Sequence, residues 1–429
     1  MKKFLAIIVS ATLLFSACNK YEDRAFSESP DVRLNKALAD YQSKLVAAPY
    51  GWKTIIVTDS GKASSFFFYF KFNNENRVSM LSEFDMTLEE SSYRLKATQR
   101  PALIFDTYSK LHILSDPDPD VAGGEIGEGF KADFEFEFES ASADTIKLTG
   151  VTFGTKALMI RATEAEEQSY INDADKIYDF ENINKIETYF KRATIGGVEY
   201  EVNASIDNKI AIFTWQDGGG AYKTHKTNFV FVPSGILLQD PVVNGSTTIS
   251  SFSDANWDAG TKTFTATING VATTFVMADK PMVVDLTAGR RWWEFPLADD
   301  GYWASWDMFY LNGVRDGYNV NNLSGYYYWL IWPNYEPGTY DLFAPVFEDG
   351  FGGLTLRYGA TTNLPNFGAD GITKFPVRGN LGTYPASGPA RLTRTQFISP
   401  DGYYFVQISE TAYDMVSAKD ARAWVYWFY

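Results

Sequence analysis

Between residues 292 and 332 the chain concentrates flat side chains: Trp292, Trp293, Trp303, Trp306, Tyr326, Tyr327, Tyr328, Trp329 and Trp332. Rings of this kind stack on the apolar C–H faces of sugars, and Glu294, Asp299, Asp300, Asp307, Asn321 and Asn322 lie close enough in sequence to hydrogen-bond the hydroxyls. If the stretch is extended, successive side chains face opposite ways. Tyr326, Tyr328 and Leu330 then share one face, and Tyr327 and Trp329 the other. One set would fill a core while the other is displayed as a ligand platform. The competing reading makes every ring core, since each buries a large apolar area.

The same acids raise glycoside hydrolysis, which needs two carboxyls roughly 5–9.5 Å apart across a cleft. Glu294, Asp299, Asp300 and Asp307 are candidates, but in a chain with 53 acidic residues some fall near tryptophan by chance. Calcium is the other chemistry suggested. Asp254, Asn256 and Asp258 space oxygen ligands at every second residue, and Asp116, Asp118 and Asp120 alternate with prolines. In the first set Gly260 comes one position late for a calcium loop, and Thr265 stands where the closing glutamate belongs. Asx-rich turns between strands have the same appearance for conformational reasons. No other cofactor is implied, and no catalytic residue is assigned. His112 reads as a core residue of an apolar strand and His225 as solvated, while Gly218, Gly219 and Gly220 read as a hairpin tip. The sequence contains no Gly-x-Ser-x-Gly elbow, no His-Glu-x-x-His and no phosphate-binding Gly-x-x-x-x-Gly-Lys.

The single cysteine, Cys18, carries the sharpest local signal. Lys2 and Lys3 precede an apolar run over 4–15, and Ser16 and Ala17 follow it, the order of an export signal. Phe15-Ser16-Ala17-Cys18 resembles the bacterial lipobox, with Phe15 where that motif usually has Leu. The resemblance implies cleavage before Cys18 and lipidation of its thiol, and two or more acyl chains anchor stably. Asn19-Lys20-Tyr21-Glu22-Asp23 is similar to the surface-export leaders of Bacteroidetes-type lipoproteins, which implies an outer-membrane protein facing the cell exterior.

Elements must position these residues, and their composition points to sheet. Of 429 residues, 16% are aromatic, with 26 Tyr and 33 Phe, which favour pleated surfaces. A formal charge of −15 argues against a nucleic-acid partner, which needs a clustered cationic face. Ser29-Pro30-Asp31 predicts a helix start, and Leu34, Leu38, Tyr41 and Leu45 recur on one helical face before Pro49-Tyr50-Gly51 ends it. The period then changes to two, predicting strands over 54–58, 66–72, 78–81, 93–97, 103–105, 111–114, 134–138, 145–148 and 158–162. A second helix is expected over 170–192, with Ile171, Ile177, Phe180, Ile183, Ile186 and Phe190 on a broad face. Strands follow over 199–204, 210–215, 228–231, 236–238, 261–268 and 272–277, and an aromatic, Gly- and Pro-rich stretch runs to a C-terminal strand.

The expectation is a mainly β protein of antiparallel sandwich- or barrel-like modules with two short helical segments. The divisions are a signal peptide (1–17), an acidic leader (18–28), two helix-plus-sheet modules (29–168 and 169–281) and an aromatic-rich β module (282–429). Helix followed by meander occurs twice, although no residue-level repeat proves duplication.

Tyr50-Gly51-Trp52, the strand at 66–72, and the run from Ser92-Tyr93-Arg94-Leu95 through Pro101-Ala102-Leu103-Ile104-Phe105-Asp106-Thr107-Tyr108 to Leu111-His112-Ile113-Leu114 resemble a known family. It is a group of Bacteroidetes outer-membrane lipoproteins of unknown function, similar in setting to proteins encoded beside TonB-dependent uptake porins. The resemblance implies location and neighbourhood and supplies no catalytic residues. The expected function is therefore an accessory that captures a glycan or peptide nutrient beside a TonB-dependent transporter, in contact with outer-membrane lipid through Cys18. The alternatives are a structural or protein-docking lipoprotein without a small ligand, and a secreted glycoside hydrolase.

Overall fold

The structure, a computed structural model, describes residues 28–58, 65–97 and 100–429. Residues 1–27, with the expected export signal, Cys18 and nearly all of the expected leader, lie outside the described residues. Among the described residues no helix is long and apolar enough to cross a membrane.

The chain is mainly antiparallel β. Eight strands between Trp52 and Arg161 form a closed barrel in which each pairs with its neighbours in sequence. The first, Trp52–Val57, closes on the last, Lys156–Arg161. The strand Ser65–Phe72 shows why the local alternation is hard to see in the sequence. Phe66, Phe68, Phe70 and Phe72 fill the barrel, while Phe67 and Tyr69 are buried on its outer face against Tyr170, Val230 and Leu237. Both faces are covered, so both are apolar.

Helix α1 (Pro30–Val46) starts where expected: the Ser29 hydroxyl accepts from the Val32 N–H at 3.4 Å, and Pro30 occupies the first turn. Its far end drops into the barrel, with Leu45 in the core and the Trp52 indole N–H donating to the Leu45 carbonyl at 2.9 Å. Tyr41 stacks on Phe138 at 3.9 Å.

The strand expected over 111–114 is instead a 3₁₀ helix, Lys110–Ser115. Leu111 and Leu114 are three residues apart, and a three-residue turn puts both into the barrel core. His112 is thereby half-buried on a turn, its Nδ1 accepting from the Ser109 N–H at 3.2 Å, with its ring 4.6 Å from that of Phe134. Desolvation holds its pKa below the usual value.

The long helix expected over 170–192 is also corrected. A short helix, α2 (Glu164–Asn172), gives way to 3₁₀ turns at Ala174–Lys176 and Asp179–Lys185, and Phe190–Ile195 is already a strand. Ile177, Phe180, Ile183 and Ile186 recur every third residue, a spacing that 3₁₀ geometry lines up on one side. All four lie in the interior of a second eight-stranded antiparallel barrel, in which Val271–Ala278 closes on Phe190–Ile195. Phe180 meets the rings of Phe229, Phe252 and Phe264 at 5.6 to 5.9 Å. The helical segment that precedes each barrel thus contributes to its filling, and in the first barrel the 3₁₀ helix Lys110–Ser115 contributes as well.

The remaining strands form a 12-stranded sheet. Its inner face wraps α3 (Ala288–Glu294) and α4 (Pro389–Phe397), with Phe397 stacked on Phe343 at 3.8 Å. The strand Ala423–Phe428 lies inside the sheet, between Ala412–Ser417 and Trp303–Ser305. Part of the outer face packs on the second barrel, where Tyr404, Val416 and Trp424 meet Tyr189 and Phe190.

Charged groups are buried at this joint. The Tyr189 hydroxyl donates to Asp414 at 2.8 Å, Lys191 donates to the Tyr189 carbonyl at 2.9 Å, and Glu201 accepts from the Met282 N–H at 2.6 Å. Burial pushes the carboxyls of Asp414 and Glu201 up to about 7 and the Lys191 amine down to about 7. A carboxyl whose folded pKa is raised binds more protons folded than unfolded, so its contribution is greatest below the unfolded value and is lost as pH rises through the folded one. Lys191 stays protonated in both states below about 7, so it adds no slope there. Asp414→Asn is therefore expected to become progressively more stable than the parent as pH rises from about 4 to about 7. Urea denaturation of both proteins across that range checks this, and a constant difference would refute it.

Candidate functional site

Three of the tryptophans are packing residues. Trp292, Trp303 and Trp329 are each 0% exposed. Trp292 sits on α3 inside the sheet, its ring 4.7 Å from Phe405. Trp293 is partly buried against the same core, its indole N–H donating to Asp341 at 2.8 Å, and burial pushes that carboxyl up to about 6.

The faces of the strand Tyr326–Glu336 differ from strict alternation. A β-bulge between Tyr326 and Tyr328 shifts the register. Tyr326 therefore joins the Trp329 and Ile331 side, packed on the inner core, while Tyr328, Leu330 and Trp332 share the outer side. The Tyr326 hydroxyl donates to the Trp306 carbonyl at 2.8 Å and fixes the neighbouring loop.

Trp306, at 47%, and Tyr327 beside it, at 45%, are the exposed members of the set. The Trp306 ring stacks on Phe428 at 5.4 Å and meets the edges of Tyr327 and Tyr328 at 5.8 and 5.9 Å. Tyr302 stacks on Tyr328 at 6.0 Å, shares a 2.6 Å hydroxyl–hydroxyl bond with it, and touches Trp332. These rings wall a pocket of about 350 Å³ lined by Gly301, Tyr302, Ala304, Trp306, Tyr328, Phe428 and Tyr429.

Trp306, Phe428 and Tyr429 also border a cleft of about 1150 Å³ where the three units meet. The first barrel contributes Phe66, Glu83 and Phe130, the second Asp207, Lys209 and Phe231, and the sheet Asp307 and Tyr426. At its base Lys209 pairs with Glu83, donates to the Ser65 carbonyl at 2.9 Å and lies 4.8 Å from the centre of the Phe66 ring. The other oxygen of Glu83 accepts from the Phe67 N–H at 3.0 Å. Arg315 bonds Asp307 at 2.6 Å and lies 3.6 Å from Asp207. Desolvation, then the Asp207 carboxylate, raises the pKa of Glu181 on the rim.

The four acids considered for hydrolysis are each engaged by a neighbour. Glu294 pairs with Arg290 at 3.4 Å, Asp299 accepts from the Tyr429 hydroxyl, and Asp300 accepts from the Trp332 indole at 3.3 Å. Asp307 is held by Arg315 and by Asn321 at 2.8 Å. Asp300 and Asp299 thereby orient the Trp332 and Tyr429 rings, and of the four acids Asp307 borders the cleft.

The calcium loops are turns. Asp258 accepts from the N–H groups of Thr261 and Gly260 at 3.0 and 2.8 Å, which hold its pKa low. Asp254 has φ 51° where the strand bulges before Asn256. Asp116 and Asp118 accept from the N–H groups two residues on, at 2.9 and 3.0 Å. Among the described residues no group of three or more His, Cys, Asp or Glu side chains is arranged to hold a metal ion. Cys18 lies outside the described residues.

Sequence reasoning missed Tyr302, Tyr426, Phe428 and Tyr429 on the aromatic side. Alternation within the last strand held the signal: Val425 and Trp427 belong to the inner core, which leaves Tyr426 and Phe428 for the outer face.

A family model described as a domain of unknown function (DUF4302) matches residues 22–259. The chain belongs to that family. The DUF4302 match takes in the first barrel and the second as far as residue 259, and the Trp306 pocket lies beyond it. No curated protein matches the chain. Among solved structures, the DNA polymerase III beta subunit of Thermotoga maritima aligns with 91% of this chain and 96% of its own at 8% identity, with a TM-score of 0.15. The Helicobacter pylori beta clamp bound to a DNA ligase peptide covers 92% and 97% at 6% identity and a TM-score of 0.14. At such scores no shared fold is inferred.

The Glu83–Lys209 pair ties the two barrels of the DUF4302 protein beneath the cleft. Removing one partner leaves a buried charge unpaired, so Lys209→Met should destabilise by about 3–5 kcal/mol in urea denaturation, whereas Glu83→Gln with Lys209→Met should cost less. Equal losses from the single and double changes would show that the charges do not depend on each other.

Proposed function

We propose that this protein is a lipoprotein of the bacterial outer membrane, held through Cys18 and facing outward, that captures a glycan at the Trp306 cleft beside a TonB-dependent transporter. The observation that carries the ligand reading is the aromatic wall of Tyr302, Trp306, Tyr328 and Phe428 around the pocket of about 350 Å³, with the Trp306 ring exposed at its edge. A soluble protein gains nothing in its own core from a tryptophan left 47% exposed and braced by three aromatic neighbours. Exposed, clustered apolar rings mark a binding surface. Asp307 borders the adjoining cleft, where its carboxylate can accept from a sugar hydroxyl. The anchor and location rest on the lipobox-like sequence at Cys18 and on the family resemblance.

Affinity electrophoresis and calorimetry against starch, laminarin, xylan and galactomannan test the ligand. Trp306→Ala should weaken the bound glycan by at least ~10-fold, or ~1.4 kcal/mol, while Trp293→Ala, on the other side of the sheet unit, should leave it unchanged. If no polysaccharide binds, or Trp306→Ala binds as the parent does, glycan capture is wrong. Separately, Cys18→Ser should release the protein from the envelope fraction, and mass spectrometry of native material should find the Cys18 sulfur acylated. A serine variant that still sediments with membranes would refute the anchor.

A further inference from the structure

We infer that the captured glycan is an extended chain, because a second sugar subsite built around Trp257 continues the Trp306 cleft. The inference rests on the glycan reading above and names the form of its ligand. A hollow of about 890 Å³ opens beside the second barrel, and Glu181, Asp207, Tyr310 and Arg315 line both it and the larger cleft. The two spaces therefore share a wall, with Arg315 fixed between Asp307 on the cleft side and Asp207 on the shared wall.

Trp257 is the aromatic surface of this hollow. It is half-buried, packed on the second barrel's core together with Ile206, and both side chains also line the hollow. The adjacent Asx turn of Asp258 and the bulge before Asn256 set the end of its strand. The residues that resembled a calcium loop thus position a ring. Three side-chain amides border the same space: Asn182 and Asn184 from the 3₁₀ segment that fills the second barrel, and Asn312 from the sheet unit. An amide offers both a donor and an acceptor, which suits a hydroxyl that does both.

The hollow is also well defined. Gly313 has φ +77°, and a Cβ there would come within 2.4 Å of the Lys185 carbonyl, so its loop seats directly on the 3₁₀ segment. On the rim, Glu187 is taken by Lys262 at 2.6 Å and by Arg422. The charged lining balances, with Glu181, Glu187 and Asp207 against Lys185, Lys262 and Arg315, so the hollow carries no net charge, which fits a neutral chain. A single ligand site typically occupies about 300–1,000 Å³. Two joined spaces of about 890 and 1150 Å³ exceed what one sugar needs and suit several consecutive units.

The test is calorimetry with malto-, cello-, laminari- and xylo-oligosaccharide ladders, from trisaccharides upward. In the parent, affinity should climb by about 100-fold between the shortest ligand bound and the longest, as a tethered second contact does. Trp257→Ala and Asn184→Ala should keep short-chain affinity, which also reports an intact fold, and lose the climb. Trp306→Ala should lose both. If Trp257→Ala and Asn184→Ala retain the parent's length dependence while Trp306→Ala abolishes binding, the second subsite is wrong and glycan capture stands. If no oligosaccharide binds the parent, or Trp306→Ala has no effect, the failure lies in the capture reading itself.

Discussion

Eight strands closed on themselves leave an interior just wide enough for side chains, and that interior has to be filled. In both barrels the segment before the first strand takes part in the filling, joined in the first by Leu111 and Leu114. The segment that precedes the first strand folds back into the opening: α1 supplies Leu45 to the first barrel, and the 3₁₀ turns supply Ile177, Phe180, Ile183 and Ile186 to the second. The rest of the architecture follows from these fillings. The 3₁₀ segment also presents Glu181, Asn182 and Asn184 outward, so one stretch of chain both completes a core and lines a surface hollow. Moving it would disturb the barrel and the hollow together.

The 12-stranded sheet solves a different problem. It does not close, so its two faces must be covered separately. Helices α3 and α4 fill the inner face around Trp292 and Phe397. On the outer face the second barrel covers the region of Tyr404, Val416 and Trp424. The aromatic group of Tyr302, Tyr328 and Trp332 occupies another part of that face. The sheet's end strands are short, Asn366–Phe367 at one side and Val377–Leu381 at the other, which limits pairing with other chains.

Much of the fold class was legible because some strands face a core on one side and water on the other. In the strand Glu135–Ala141, Phe136 and Phe138 are buried between less buried glutamates, and period two is plain. The segments filling the barrels were harder, because a spacing of three is compatible with α-helix when read locally; only the shape of the barrel interior selects 3₁₀. The His112 turn was mistaken for a strand for a related reason, two leucines three apart in an apolar run. The candidate site was legible in composition and not in membership. Trp292, Trp303 and Trp329 belong to the same aromatic stretch as Trp306 but lie on the inner side, and the bulge at Tyr326 moves that ring to their side. Phe428 reaches Trp306 across more than a hundred residues of chain, a contact that strand pairing creates and local patterning does not encode.

Closure of the second barrel also bears on which pieces of this protein can stand alone. The family match stops at residue 259, yet the strands Thr263–Ile268 and Val271–Ala278 complete the ring by pairing back to Phe190–Ile195. A fragment cut at the family boundary would leave two raw strand margins, at Thr247–Asp258 and Phe190–Ile195, with the phenylalanine-rich lumen opened between them. Such margins recruit one another between molecules. The closed ring of the second barrel therefore runs to Ala278, and the family boundary falls short of it by one hairpin.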